Sequence, residues 1–305
     1  MRKQRNEGDK SLKWRFLVIC TFEIVIINLS KIINKVVFMK KSKVSKAGIP
    51  YLHFGNGEPL MLIHGLGEVK EGWINQFELQ DEFELIIPDL RGHGENDCFE
   101  EISIQNFASD IIGLLEECGI ESANILGLSM GGAVAQEIFR QAPMMCRTLI
   151  LASTFHFFPK KLAPIFIRYR KKKFMNITFG GTKKPAAELA LYSWGEESIE
   201  EFDNHFDPNP KAFFASLHSC LKVNNIRLLR KINIPTLVIG GQYDSVIPVW
   251  MQARMHSLMQ HSDFIIMRKT GHVSKLEAKD RFNQVVRNFL RRHKQIKVKD
   301  ETAAI

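Results

Sequence analysis

The chain has 305 residues, an apolar fraction of 45% and a net charge of +9, which is enough apolar material for a large globular domain. Residues 1–46 hold 12 basic and 3 acidic residues, and the rest of the chain is balanced at 30 of each. A neutral body argues against a basic groove for nucleic acid, and five scattered cysteines without a C-x-x-C pair argue against a disulfide framework or a cysteine zinc site.

Residues 1–38 differ in composition from the rest of the chain. A basic stretch precedes an apolar run of 14 residues at 16–29, which Glu23 interrupts, whereas a membrane span takes about 20 residues. No A-x-A cleavage site follows, which argues against a secretory signal. Two interpretations stay open, an N-terminal anchor or interfacial helix and an extension ahead of a natural start at Met39; we favour the second. We expect a cytoplasmic protein, with membrane contact only through residues 1–38.

Strand patterns begin after Met39. Residues 49–54 predict a strand that ends at a glycine-rich turn, and residues 59–63 form the continuous apolar run that is typical of a buried parallel strand. The second strand ends in His64-Gly65-Leu66-Gly67. Its glycines let the backbone approach a substrate oxygen closely, although a plain strand-to-helix turn has the same composition.

A further strand is predicted over residues 83–88, and the loop D-L-R-G-H-G follows it. The place of this loop in the chain favours a structural role. We expect Asp89 and Arg91 to brace the turn and His93 to lie near its rim. Residues 103–118 then show the spacing of an amphipathic helix.

The central chemical signal is Gly127-Leu128-Ser129-Met130-Gly131. A short apolar run before it suits a buried strand, and the apolar residues after it fall at helical spacing until Pro143. A strand that turns this sharply into a helix strains the Ser129 backbone, and glycines on either side remove Cβ atoms that would crowd it. The hydroxyl then lies above a helix N-terminus, which favours developing negative charge. A glycine-rich turn without function is the alternative.

In this order and spacing, HGLG, DLRGHG and GLSMGG resemble the motifs of the α/β-hydrolase superfamily. Within it they resemble the small bacterial esterases, enol-lactonases, carbon–carbon bond hydrolases and cofactor-free haloperoxidases. The resemblance spans residues 48–290. It implies a mostly parallel, doubly wound α/β sheet with a helical cap inserted after a strand at residues 148–152. It also implies Ser129 as nucleophile and the backbone N–H groups of Leu66 and Met130 as oxyanion hole. We expect no cofactor and no metal.

The parallel pattern lapses after residue 152 and resumes near residue 231. The stretch between holds 10 of the 22 Phe residues, which favours a pocket for an apolar small molecule, although packing explains any one Phe as well. A basic run at residues 168–173 suits a solvated helix face. The expected organisation is a leader or extension at 1–38, a hydrolase core at 39–153 and 231–293, a helical cap at 154–230 and a charged tail at 294–305.

Two later strands end in candidate partners for the serine. Residues 236–240 lead through a turn to Asp244, and residues 264–267 lead through a glycine to His272. In α/β-hydrolases the chain order is serine, acid, histidine. No other aspartate or histidine after the serine has such a place at the end of a buried strand. One helix is predicted to close the fold over residues 273–292.

These residues predict acyl transfer. His272 would take the proton of Ser129, Asp244 would hold the imidazole, and water would release the acyl group. The expected function is a serine hydrolase that cleaves a small carboxylic ester or lactone. Two rivals stay open, a carbon–carbon bond hydrolase acting on a vinylogous diketone and a ligand-sensing protein without enzymatic activity. No nucleic-acid partner is expected.

Overall fold

A computed structural model describes residues 41–165, 167–168, 187, 190–192 and 196–294. The chain divides into two units, Met1–Ser42 and Lys43–Ile305, and every element named below lies in the second. The leader or extension predicted at 1–38 lies outside the described residues. So do all but the first residue of the basic run and all but the first residue of the predicted tail.

The centre of the fold is a mostly parallel sheet of eight strands. In chain order they are β1 (Lys43–Val44), β2 (Pro50–Phe54), β3 (Glu58–Ile63), β4 (Phe83–Pro88), β5 (Ala123–Leu128), β6 (Cys146–Ala152), β7 (Thr236–Gly241) and β8 (Ser262–Met267). Across the sheet the order is β1-β2-β4-β3-β5-β6-β7-β8. β1 pairs with β2, and β2 with β4, in antiparallel register; the other pairs are parallel. The carboxyl ends of β3 to β8 therefore share one edge.

Eight α-helices are described. They are α1 (Ile104–Glu117), α2 (Met130–Gln141), α3 (Glu196–His205), α4 (Pro210–Cys220), α5 (Ile226–Leu229), α6 (Val249–Ser257), α7 (Ser274–Glu277) and α8 (Lys279–Arg292). A 3₁₀ segment, Lys70–Asp81, links β3 to β4. The apolar face of α1, including Phe107 and Ile111, packs in the same core as the buried residues of β3, β5 and α2. Among the described helices, none has the length and hydropathy needed to cross a membrane.

Helices α3, α4 and α5 lie between β6 and β7, in the stretch for which a helical cap is predicted. The loop after β3 contacts this stretch, since Glu68 forms an isolated bridge with Phe206 and the Asp207 N–H donates to the Gly67 carbonyl at 3.0 Å. Much of the stretch between residues 166 and 195 lies outside the described residues. The bounds 154–230 stay a prediction.

The prediction of one closing helix over residues 273–292 is wrong. The structure has two helices, α7 and α8, separated by Ala278 at φ −138° and ψ 48°. The break follows Glu277, whose carboxylate accepts hydrogen bonds from the N–H groups of Gly271 and Tyr192. These contacts hold the end of α7 against the loop that contains Gly271, and a new helix, α8, begins at Lys279.

Candidate active site

Ser129 occupies the turn between β5 and α2. Its backbone has φ 54° and ψ −115°, a conformation that L residues rarely adopt. Its N–H donates to the Ala152 carbonyl at 2.9 Å, and the Thr154 hydroxyl donates to the Ser129 carbonyl at 2.5 Å. Backbone strain of this kind costs about 1–3 kcal/mol and persists where the surroundings hold it in place, which is typical of functional turns.

Close packing around this turn explains its glycines. A Cβ on Gly131 would lie 2.2 Å from the Ile63 carbonyl oxygen, and a Cβ on Gly127 would lie 2.2 Å from the Gly131 carbonyl oxygen. A Cβ on Gly132 would meet the Thr154 side chain at 2.6 Å. Because these positions carry no side chain, the first turn of α2 can lie directly against the end of β3.

Asp244 and His272 follow the neighbouring strands β7 and β8. The Nδ1 atom of His272 lies 2.8 Å from Oδ2 of Asp244, and both side chains are buried. The other carboxylate oxygen of Asp244 accepts the N–H groups of Val246 and Ile247 at 2.9 and 2.8 Å. These bonds fix the carboxylate, and a neutral imidazole that donates from Nδ1 has Nε2 as its proton acceptor.

Ser129 and His272 both line a cavity of about 220 Å³. The predicted oxyanion residues Leu66 and Met130 line it as well, whereas Asp244 lies behind His272. Helices between β6 and β7 and segments of the core supply its apolar walls, which include Phe155, Phe158, Phe202, Phe206, Leu217 and Met251. Among the described lining residues, one carries a carboxylate, Glu68, and none is a lysine or arginine.

The two predicted oxyanion residues differ in how their N–H groups are placed. Met130 is the first residue of α2, where an N–H has no acceptor within its own helix. Leu66 follows Gly65, whose N–H donates to Oε2 of Glu68 at 2.9 Å. The Glu68 carboxylate therefore sits directly against this loop. Nothing in the local sequence pattern pointed to this contact.

The loop that carries His272 is tied to the segment before α3. The His272 N–H donates to the Ala190 carbonyl at 2.7 Å. The Glu277 carboxylate accepts the Gly271 N–H at 2.7 Å and the Tyr192 N–H at 2.6 Å. Sequence reasoning missed this role of Glu277, because the residue falls within a helical pattern and its partners come from two other segments.

The D-L-R-G-H-G loop does not line the cavity. Asp89 does brace the turn, since it accepts the Glu95 N–H at 3.0 Å and pairs with Lys70 Nζ at 2.8 Å. Arg91 instead pairs with Asp110 on α1. The expectation that His93 lies near the rim is wrong, because its side chain is buried and its Nδ1 lies 2.9 Å from the Arg91 carbonyl oxygen.

Comparisons with known proteins agree with this fold. The model of the alpha/beta hydrolase fold family matches residues 58–279. The chain is 28% identical over 241 residues to Lipase 3 of Moraxella sp. (strain TA144), covering 73% of this chain and 74% of the lipase. It is 28% identical over 272 residues to the 2-hydroxy-6-oxononadienedioate/2-hydroxy-6-oxononatrienedioate hydrolase of Burkholderia vietnamiensis (strain G4 / LMG 22486), covering 80% and 91%.

A solved structure of a thermophilic esterase from Thermogutta terrifontis, with malate bound, is similar at a TM-score of 0.73. Its sequence is 26% identical, and the match covers 84% of this chain and all of that one. Because the family match spans most of the chain and the sheet has the expected order, the chain belongs to the alpha/beta hydrolase fold family and is a hydrolase.

Proposed function

We propose that the protein is a serine hydrolase that cleaves a small, apolar carboxylic ester or lactone through an acyl-enzyme. The observation that carries the proposal is the cavity lined by both Ser129 and His272, with Asp244 2.8 Å behind the imidazole. The strained backbone of Ser129 supports its role as the nucleophile. The apolar walls of the cavity support an apolar acyl or alcohol group.

The mechanism assigns one task to each group. Ser129 attacks the carbonyl carbon while Nε2 of His272 takes the hydroxyl proton, and Asp244 stabilises the resulting imidazolium through Nδ1. The N–H groups of Leu66 and Met130 hold the negative oxygen of the tetrahedral intermediate. His272 then protonates the leaving alcohol. It next takes a proton from water, which attacks the acyl carbon. As the bond from that carbon to Ser129 breaks, His272 returns the proton to the serine oxygen and the acid is released.

Hydrolysis of a carbon–carbon bond in a vinylogous diketone is the second candidate. Similarity to the Burkholderia vietnamiensis hydrolase favours it. The name of that hydrolase describes dioates, which carry two carboxylates, whereas the described part of the cavity wall has no lysine or arginine to pair with them. The ester or lactone is therefore the better supported substrate class.

Labelling with a fluorophosphonate and turnover of p-nitrophenyl esters of increasing acyl length test the proposal. Ser129→Ala should abolish both signals. Ser153→Ala is the control, because it removes a buried hydroxyl at the end of β6 that does not line the cavity. Labelling that survives Ser129→Ala would contradict the assignment of the nucleophile. Cleavage of a ring-fission diketone by a protein inert toward every ester would favour the second candidate, and ligand binding without any turnover would favour the sensor.

A further inference from the structure

A buried ion pair lies beside the loop of residues 64–68, which we call the oxyanion loop. Lys275 Nζ is 3.3 Å from Oε1 of Glu68, and their side chains are 2% and 9% exposed. The other oxygen of Glu68 accepts the Gly65 N–H. Lys275 belongs to α7, which starts two residues after His272. The pair therefore joins the oxyanion loop to the helix that follows the histidine.

The pair has a defined orientation relative to the cavity. Glu68 lines the cavity, and Lys275 is not among the residues that line it. Behind the carboxylate, the Lys275 ammonium donates to the Gly72 carbonyl and lies 4.7 Å from the centroid of the Trp73 ring. The acidic member of the pair thus belongs to the cavity wall, whereas the basic member packs against Gly72 and Trp73 behind it.

Glu68 is ionised in this setting. Burial raises the pKa of its carboxyl, but the Lys275 ammonium and the Gly65 N–H lower it by more, so that the pKa lies below its ordinary value. A carboxylate at the wall of an apolar cavity acts over short distances with little screening by solvent. Because the described wall offers no lysine or arginine, an incoming carboxylate would meet repulsion without a compensating partner.

Stability alone is a weak reason for such a pair. Replacing a buried ion pair with apolar residues of similar volume is often neutral or stabilising, so a role in the fold would not require charge at these two positions. The geometry instead points to selection by charge. We propose that Glu68, backed by Lys275, is a specificity-determining residue that makes the cavity accept uncharged substrates and reject those with a carboxylate near the scissile bond. This inference rests on the proposed ester hydrolysis.

Two matched ester pairs test the inference. In the first, p-nitrophenyl hexanoate is compared with mono-p-nitrophenyl adipate, which carries a carboxylate at the end of an acyl chain of the same length. In the second, phenyl acetate is compared with para-acetoxybenzoate, which carries the carboxylate on the leaving group. The quantity measured is the ratio of kcat/KM for the uncharged ester to that for the charged one. This ratio does not depend on how much of a preparation is active.

The wild type should favour the uncharged member of at least one pair by about tenfold or more, because like charges in apposition are strongly unfavourable. Glu68→Gln keeps an acceptor for the Gly65 N–H and removes the charge, so it should lower that ratio by about tenfold or more. Glu58→Gln is the matched control. Glu58 also carries a carboxylate in an ion pair, with Arg147, but it is the first residue of β3 and lies at the strand end opposite the oxyanion loop. It should leave the ratio unchanged.

Glu68→Gln leaves Lys275 buried without its carboxylate, so the double variant Glu68→Gln/Lys275→Met carries the same prediction without a buried charge. A wild-type ratio near one for both pairs, or an equal ratio in the wild type and both variants, would overturn the inference. Labelling rates with hexyl fluorophosphonate and its ω-carboxylate analogue give the same comparison without ester turnover. A protein that discriminates between these labels but cleaves no ester would keep the inference and contradict the proposed function.

Discussion

At the scale of single residues, packing around Ser129 leaves no freedom at Gly131. The Ile63 carbonyl would lie 2.2 Å from an added Cβ, so Gly131→Ala must displace either the end of β3 or the first turn of α2. Because reacting groups must be held closely in position, we expect fluorophosphonate labelling to slow by about 100-fold. The labelling rate measured beside thermal unfolding checks this prediction.

Gly113→Ala is the matched control for that substitution. Gly113 lies on the exposed side of α1, with nothing within 4 Å of an added Cβ. Alanine favours the helix there, so the variant should gain about 0.5–1 kcal/mol of stability and label at the wild-type rate. Wild-type labelling by Gly131→Ala would show that the turn can relax, against the steric argument.

His93 makes the stability of the fold depend on pH. Burial and the neighbouring His64 lower the pKa of His93 to about 3, from an ordinary value of 6.5. Below pH 6.5 the unfolded chain therefore binds a proton that the native state does not. The free energy of unfolding therefore falls as the pH drops from about 6.5 toward 3. Above about pH 6.5 the imidazole is neutral in both states, and burying it costs no stability through proton binding.

His93→Asn keeps a side-chain N–H for the Arg91 carbonyl but cannot titrate. Between about pH 7.5 and about pH 5 it should lose less stability than the wild type, by roughly 2 kcal/mol. Urea unfolding at the two pH values measures the difference, and His218→Asn, at an exposed position of α4, is the control for losing an imidazole. An equal pH-dependent loss in His93→Asn and the wild type would contradict this account.

At the scale of elements, Glu277 connects α7 to two other segments. Its two carboxylate oxygens accept the N–H groups of Gly271 and Tyr192, and a glutamine can accept with one oxygen only. We expect Glu277→Gln to lose about 1–3 kcal/mol of stability if the buried Gly271 N–H is the donor left without its acceptor, and less if it is the exposed Tyr192 N–H. We also expect a lower kcat, because Gly271 precedes His272.

Thermal unfolding, ester turnover and hydrogen exchange at the Gly271 and Tyr192 amides measure these effects. Faster exchange confined to those two amides would show that the contact itself has been lost. Glu116→Gln, on the exposed side of α1, is the matched control. Wild-type stability and exchange in Glu277→Gln would show that the carboxylate does not hold the two segments together.

Sequence patterns predicted the bounds of helices and strands correctly where the residues of the element itself determine those bounds. The strand predicted over residues 83–88 is observed as Phe83–Pro88, since all its residues except Glu84 are apolar. The break at Ala278 could not be predicted in this way, because alanine and its neighbours favour a helix and the break depends on contacts with residues 192 and 271. Local propensity is a weak guide wherever tertiary contacts compete with it.

The same distinction applies to the site. The chain positions of Ser129, Asp244 and His272 followed from strand ends and glycine turns, and the structure places the first and last on one cavity. The pairing of Glu68 with Lys275 could not be predicted, since the two residues are far apart in the chain and the sequence around neither one indicates its partner. The catalytic roles of Ser129, Asp244 and His272 and the selective role of Glu68 are predictions.

At the scale of the whole molecule, every described strand and α-helix lies between Lys43 and Arg292. We therefore expect a chain that begins at Met39 to unfold at the same temperature as the full chain and to label equally fast. Thermal unfolding and fluorophosphonate labelling of the two purified chains measure this. A shorter chain that is insoluble, or that unfolds at a clearly lower temperature, would show that residues 1–38 contribute to the folded core.

The cavity draws its walls from two sources. Ser129 and His272 follow strands of the sheet, whereas Phe202 and Leu217 belong to α3 and α4, and Phe206 directly follows α3. Substitutions in those helices can reshape the cavity while the strand ends that carry Ser129 and His272 stay in place. Exchange of a few side chains in α3 and α4 can accordingly change which molecules fit the cavity. Mutant libraries confined to these two helices should therefore yield variants with altered substrate ranges.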